Sequence, residues 1–287
     1  MAKILATDLD GTLFYPKQKK KCIPAKNVKF LQRWIDDGNK VVLCTSRSQQ
    51  FVKRLEKEIE RPFDLMTCNT AHIIAGGEVI KDQLIPGDDL RKILNIIDKK
   101  YRPIAYLMTT KNYPCIIKNN RAMGKMLMFF YHMWYLKQGM YREPYVLSNK
   151  LFREELATGE VYKVMIFFGF GHNKKKFTKD LNKILFKEFP DLEFSWVGNV
   201  NEITPKGCNK GKGLQYYCEH EHIDPKDVYV IGDSGNDISM FNAFKDNSFV
   251  MSHASKVVKK YAKYEVSNVH GLEKFLLPKE KKTNESN

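Results

Sequence analysis

The amino-acid sequence predicts an α/β protein: a doubly wound, mostly parallel sheet interrupted by an inserted α+β segment. Three observations predict it. Short apolar runs alternate with helical periods from Lys3 to Thr67, the strand–helix–strand grammar of a parallel sheet. The same grammar returns after Glu202, whereas the stretch between alternates helices with groups of strands. Acids, hydroxyls and glycines collect where the apolar runs stop, the edge at which open sheets hold ligands. The expected division is therefore 1–85 with 202–278 as a core, 86–201 as an inserted domain, and a polar tail at 279–287 expected to be disordered.

The first strand is the apolar run from Lys3, which breaks at Gly11 directly after Asp8 and Asp10. Residues i and i+2 of an extended segment share a side, so both carboxylates can converge just beyond the strand. Like charges held so close need a cation or a shared proton. The same residues also suit a plain strand-to-turn exit. A basic loop, Tyr15 to Cys22, precedes a helix opened by Pro24, carrying Val28, Leu31, Trp34 and Ile35, and closed by Gly38. The second strand starts at Lys40 and is apolar until Thr45, Ser46 and Arg47, which stand before a helix expected over Gln49 to Glu60. Hydroxyls with a guanidinium match phosphate oxygens, although Ser46 or Ser48 can equally cap the helix. A third strand, Phe63 to Thr67, leads into Cys68-Asn69-Thr70-Ala71 and a hairpin around Gly76-Gly77.

In the inserted segment we expect a helix over 90–100, strands over Ile104 to Thr109 and Pro114 to Lys118, and a Met- and aromatic-rich buried helix or domain interface over Met123 to Tyr135. A strand over Val161 to Phe168, a helix over Phe177 to Phe189 and a strand over Glu193 to Val197 complete it. Residues 86–201 hold 20 basic and 11 acidic side chains, so they carry +9 of the net +15 and favour anionic ligands. Glu202 to Gly211 reads as a Gly- and Lys-rich loop before a helix at Lys212 to His222, with Lys206 or Lys210 able to meet an anion. The strand Val228 to Ile231 ends in Gly232-Asp233-Ser234-Gly235-Asn236-Asp237, before a helix at Ile238 to Phe244. A strand at Ser248 to Met251 and a helix at Ala254 to Lys263 follow.

Composition removes several classes. No apolar run approaches the roughly 20 residues of a membrane helix. Six cysteines stand singly with no C-x-x-C pair, which argues against a zinc knuckle and for reduced thiols in a cytoplasmic protein. The first strand begins at once, leaving no room for a leader peptide. Although Lys and Arg number 48 against 33 Asp and Glu, the charge is spread without a basic block or interleaved aromatics, so no nucleic-acid partner is expected, and without a long apolar run no membrane is expected either.

Strand ends thus supply Asp8 and Asp10, the set Thr45-Ser46-Arg47, Lys210, and Asp233 with Asp237. Such an oxygen-rich set suits a hard cation such as Mg2+, held by carboxylates, water and substrate phosphate. A carboxylate can also act as nucleophile toward a phosphoryl group. These motifs resemble the haloacid dehalogenase-like superfamily, in its Cof-type phosphatase branch. Asp8-Leu-Asp10-Gly-Thr12 is similar to the first motif, Thr45-Ser46-Arg47 to the second, Lys210-Gly211 to the third, and Gly232 to Asp237 to the fourth. Asn69-Thr70-Ala71 resembles that branch's Asn-Gly-Ala turn, and the insert lies where Cof-type enzymes carry their α/β cap.

The resemblance implies a Rossmann-like core and a phosphatase acting on small phosphorylated metabolites, such as sugar phosphates or phosphorylated cofactors. It implies Asp8 as nucleophile and metal ligand, and Asp10 as acid and base with its carbonyl on the metal. Asp233 would complete the Mg2+ set. Thr45, Lys210, Asn236 and the Leu9 and Ser46 amides would hold phosphoryl oxygens, with Thr12, Arg47, Asn69 and Asp237 in support. Three departures, Ser46 and Thr70 for Gly and Ser252-His253-Ala254 where an Asn commonly precedes Ala, bear on rate and substrate preference. A phosphomutase or phosphotransferase would use the same groups with a sugar hydroxyl as acceptor. A non-enzymatic binder of nucleic acid or acidic partners through the basic insert would not require Asp8.

Overall fold

The computed structural model describes residues 2–120, 132–133, 136–137, 139–169, 172–197 and 200–277. The tail at 279–287 and most of the Met- and aromatic-rich run lie outside them. Two sheets organise the chain.

The larger sheet begins with strands β1 (Ile4–Thr7), β2 (Lys40–Cys44), β3 (Asp64–Thr67), β4 (His72–Ala75) and β5 (Glu78–Asp82). Helices α1 (Ala25–Asp36), α2 (Gln49–Lys53) and α3 (Glu56–Ile59) connect the first three of these strands. The smaller sheet contains β6 (Ala105–Thr110), β7 (Ile116–Asn119), β8 (Val146–Leu147), β9 (Val161–Phe167), β10 (Leu192–Val197) and β11 (Val200–Pro205). With it go α4 (Gly87–Tyr101), α5 (Asn149–Thr158) and α6 (His172–Glu188). The chain then returns through α7 (Lys210–His220), β12 (Val228–Gly232), α8 (Ile238–Ala243), β13 (Ser248–Met251), α9 (Lys256–Lys259), β14 (Tyr264–Val266) and α10 (Glu273–Leu276).

In the larger sheet the order is β14-β13-β12-β1-β2-β3-β4-β5, parallel from β14 to β3 and antiparallel over the last two pairings. Alternate residues of each central strand enter different cores. Leu5, Val41, Leu43 and Ile231 join Phe30, Leu31 and Trp34 of α1 on one side. Ile4, Ala6, Val42, Val228 and Val230 join Leu214, Tyr217 and Phe241 on the other. Burial on both faces explains why these strands read as continuous apolar runs. From β1 the chain winds toward β2, while β12 pairs on the opposite flank. That reversal leaves a crevice at the carboxyl ends of β1 and β12, where Asp8 and Asp233 emerge.

Several expectations are corrected. The helix over Gln49 to Glu60 is two pieces, because the Leu55 N–H bonds one residue early, to the Val52 carbonyl, and tightens the turn. The helix over Ala254 to Lys263 shrinks to α9, since the chain must turn back for the unanticipated strand β14. The Glu202 to Pro205 part of the expected loop belongs to β11, paired with β10 and β9. Its polar composition hid it. Asn201 is fully buried, and its amide donates to the Thr178 carbonyl at 2.9 Å. The expected core boundary at residue 202 falls within this strand. No sequence signal gave β8 or α5.

Candidate active site

The chain leaves β1 through a turn over Leu9–Leu13 in which Gly11 adopts φ +84°. A Cβ there would overlap the Asp233 carboxylate, so only glycine lets the two strand ends approach. Gly11→Ala is expected to cost about 1–2 kcal/mol for the backbone alone, with Asp233 displaced in addition. Urea unfolding measures the first effect, and a shifted Mg2+ titration of thermal stability measures the second.

Lys210 lies at the start of α7, whose N-terminus is capped by the Asn209 side chain accepting from Lys212 N–H. Its Nζ donates to Asp8 Oδ1 at 2.5 Å and to Asp237 Oδ1 at 2.6 Å, and the lysine is only 1% exposed. The other Asp237 oxygen, Oδ2, accepts the backbone N–H groups of Asp233 and Ser234, both at 2.9 Å. Asp233 in turn accepts from the buried Thr12 hydroxyl at 3.0 Å. Asp237 therefore supports both Lys210 and the loop that carries Asp233.

Burial is the main force on Asp8, and with Asp237 and Asp233 nearby it pushes the carboxyl up to about 8 despite Lys210. Burial would by itself lower the Lys210 ammonium, but the two carboxylates outweigh it and raise the group. Asp233 is also raised, mainly by burial and then by Asp237, with Thr12 and His253 opposing. Carboxylate oxygens of Asp8, Asp233 and Asp237 lie within 4.8 Å of one another. Three acids facing one lysine form an oxygen set with excess negative charge, which fits a hard dication. Both Asp237 oxygens are already engaged, so Asp8 and Asp233 have the spare lone pairs.

Asp10 takes a different direction. Its half-exposed carboxylate forms a two-pronged pair with Arg47, Nε to Oδ2 at 2.6 Å and Nη2 to Oδ1 at 2.7 Å. Arg47 also donates to the Tyr141 carbonyl at 2.9 Å and lies 3.8 Å over the Phe51 ring. Burial opposes the guanidinium's charge, but Asp10 outweighs it. The side chain of Asp10 is thus held by Arg47 while Asp8 is held by Lys210.

The Thr45–Arg47 loop is tied on nearly every backbone group. Thr45 N–H donates to the Met66 carbonyl, the Thr45 carbonyl accepts from Asn69 N–H, and the Arg47 carbonyl accepts from Cys68 N–H. Arg47 N–H reaches the Thr45 hydroxyl at 3.2 Å, and the Ser46 carbonyl accepts from Lys163. The Ser46 N–H has no acceptor among the described residues. Leu9 is buried between Asp8 and Asp10, and Asn236 is exposed, its Oδ1 accepting from the Ser234 hydroxyl at 2.6 Å. Among the described residues the Asn236 side chain makes no direct hydrogen bond to Lys210, Asp8 or Asp237, but it shares the Ser234 hydroxyl with Asp237. The buried Asn69 Oδ1 has no partner among the described residues.

Sequence reasoning missed three parts of this arrangement. Thr70 has φ +71°, costly for a β-branched residue, and its side chain fits only because Gly213 of α7 has no Cβ to meet it. The Thr70 hydroxyl donates to the Asn209 carbonyl, linking that turn to the helix start beneath Lys210. His253 packs against Tyr15, with ring centroids 4.1 Å apart and planes tilted by 32°, and places Nε2 3.8 Å from Asp233. Lys163 and Glu143 reach the second motif from sequence positions nearly a hundred residues or more away: Lys163 at the Ser46 carbonyl, and Glu143 accepting from Ser48 N–H at 2.8 Å. No local pattern marks either one.

The comparisons with known proteins agree with this geometry. The family model for haloacid dehalogenase-like hydrolases matches residues 5–276. The chain belongs to that family, and it is an enzyme of the phosphatase kind that carries out phosphoryl transfer. Among similar proteins, the 5-amino-6-(5-phospho-D-ribitylamino)uracil phosphatase YwtE of Bacillus subtilis is 28% identical over 261 residues, covering 83% of this chain and 84% of its own. In fold, the chain resembles the subclass IIB sugar phosphatase BT4131 with a TM-score of 0.73 at 22% identity, covering 96% of this chain and 98% of the other. It also resembles TM0651 from Thermotoga maritima, with a TM-score of 0.73 at 20% identity, over 97% of this chain and 98% of the other. None of the described helices is long and apolar enough to cross a membrane.

Proposed function

We propose that the protein hydrolyses phosphomonoesters of small metabolites through a covalent phosphoryl group on Asp8, with Mg2+ as cofactor. The observation that carries this reading is the buried Lys210 ammonium joined to both Asp8 and Asp237, with Asp233 alongside. A carboxylate held at a strand end beside a fixed cation is placed to attack phosphorus while charge builds on the phosphoryl oxygens. Asp8, Asp233 and the Asp10 carbonyl would hold Mg2+, which when bound offsets phosphoryl charge and keeps Asp8 ionised.

An Asp8 oxygen attacks phosphorus, the bond to the leaving oxygen breaks, and Asp10 supplies that oxygen's proton. Asp10 then takes a proton from water, whose oxygen attacks phosphorus and frees Asp8 with release of inorganic phosphate. General acid and base work requires Asp10 to exchange its Arg47 partner for substrate and then for water. Thr45, the Ser46 N–H, the Leu9 N–H, Lys210 and Asn236 hold the phosphoryl oxygens, and Thr12, Arg47, Asn69 and Asp237 support them. Residues 86–201 act as the cap over this site, and their positive balance favours small anionic substrates.

The test is release of inorganic phosphate from an aryl phosphate and from a panel of phosphorylated metabolites. Turnover should require Mg2+, stop with excess chelator and return when Mg2+ is restored. Purified protein without phosphatase activity on any of these substrates in Mg2+ would overturn the proposal.

A further inference from the structure

Lys163 is a buried cation that the chemistry above does not use. It lies in β9, between β11 and β6 in the smaller sheet. The pairing of β9 with β6 shifts register next to it: Thr109 faces Lys163, whereas Thr110 faces Val161, leaving Tyr162 as the extra residue. Such a bulge re-aims side chains, and here two consecutive residues both reach the larger sheet's module. The Tyr162 hydroxyl donates to Asp82 at 2.6 Å, and Lys163 Nζ donates to the Ser46 carbonyl at 2.7 Å. Lys163 is paired with Glu202 of β11 at 3.2 Å, and the other Glu202 oxygen accepts from the Ser195 hydroxyl.

Placing an ion pair in this interface carries a desolvation cost that two packed apolar side chains would avoid. The pair's geometry shows what it accomplishes. Lys163 fixes the carbonyl of the Ser46–Arg47 peptide, while the Thr45 hydroxyl takes the N–H of that same peptide at 3.2 Å. With Thr45 and Arg47 also anchored, the Ser46 N–H is the one backbone polar group of the loop with no acceptor among the described residues. A single fixed, unpaired donor is what an incoming phosphoryl oxygen needs.

We propose that Lys163 is a positioning residue: by gripping the Ser46 carbonyl from the smaller sheet, it sets the phosphoryl-binding loop and makes that loop's geometry depend on how the two sheets' modules are seated. This rests on the phosphatase reading above. It predicts that the loop loses its fixed donor when Lys163 is shortened or neutralised, although no atom of Lys163 needs to touch substrate.

The test compares wild type with Lys163→Met and Lys163→Arg in Mg2+, using an aryl phosphate as substrate and inorganic phosphate as competitive inhibitor. Lys163→Met is expected to lower kcat/KM by ~10–100-fold, as loss of alignment does, and to raise the phosphate inhibition constant about as strongly. Lys163→Arg keeps the charge and a donor and should recover most of both. The backbone amide resonance of Ser46 should move in Lys163→Met and lose its response to added phosphate. Should Lys163→Met not fold, Lys163→Gln replaces it: neutral and one bond shorter, it also loses the grip and carries the same expectations.

A folded Met or Gln variant with wild-type kcat/KM, phosphate inhibition and Ser46 resonance overturns the proposal. So does a variant whose only change is a lower Tm. These results leave the phosphatase reading intact, whereas an inactive wild type removes that reading first.

Discussion

Asp8→Asn is expected to reduce phosphate release by at least ~1,000-fold, equivalent to about 4 kcal/mol of lost transition-state stabilisation. An amide cannot supply the attacking oxyanion, and no other described carboxylate occupies its place against Lys210. The substitution is nearly isosteric, and the protein should stay folded. It also removes a carboxyl that burial raises to about 8, and with it the cost of taking up that proton on folding at pH values above 3.8. The metal-free variant should therefore match or exceed wild type in thermal stability while binding Mg2+ more weakly. Rapid-quench measurements should find no covalent phosphoryl-enzyme. Unchanged turnover would exclude Asp8 as nucleophile.

Lys210→Met should be the most damaging change to activity and stability together. Loss of a preorganised cation at a developing oxyanion typically removes ~100–1,000-fold in rate. Removing one partner of a buried ion pair costs about 3–5 kcal/mol, because the other charge is stranded. The stability cost should depend on pH, and its sign follows from Asp8. Its folded carboxyl is raised to about 8 against 3.8 for the ordinary group. Between those values the folded protein holds a proton that the unfolded chain has released, so this group's contribution to stability falls as pH rises through that window. Lys210 is the chief influence lowering Asp8, so in the variant the decline continues above about 8. The deficit relative to wild type should be larger at pH 9 than at pH 6.5. Denaturant midpoints at the two pH values, measured without Mg2+, check this; equal deficits would mean that Asp8 does not sense Lys210.

Much of the arrangement was legible because it is local. The doubly wound core follows from strands buried on both faces, and Leu5, Val42 and Val230 needed no partner to be recognised as apolar. Asp8 and Asp10 were visible as acids at a strand end. Their divergence was not: Asp8 turns inward to Lys210, whereas Asp10 turns outward to Arg47, a distinction set by side-chain direction rather than spacing. Strand β11 was hidden because its polar residues read as a loop, whereas the Asn201 amide donates to Thr178 of α6 and Glu202 meets Lys163 of β9 and Ser195 of β10. Thr70 looked like a bare departure from glycine until Gly213 was found opposite it.

By itself the sequence determined the periodicities, hence the alternating sheet and its strand-end acids, since these depend on residue spacing along the chain. Only the tertiary structure decided which groups meet: Lys210 with Asp8 and Asp237, Arg47 with Asp10, and Lys163 with Ser46. Hydrogen bonds and ion pairs act over about 3 Å. Residues as distant in sequence as Asp8 and Lys210 come that close only after the sheet has closed around them.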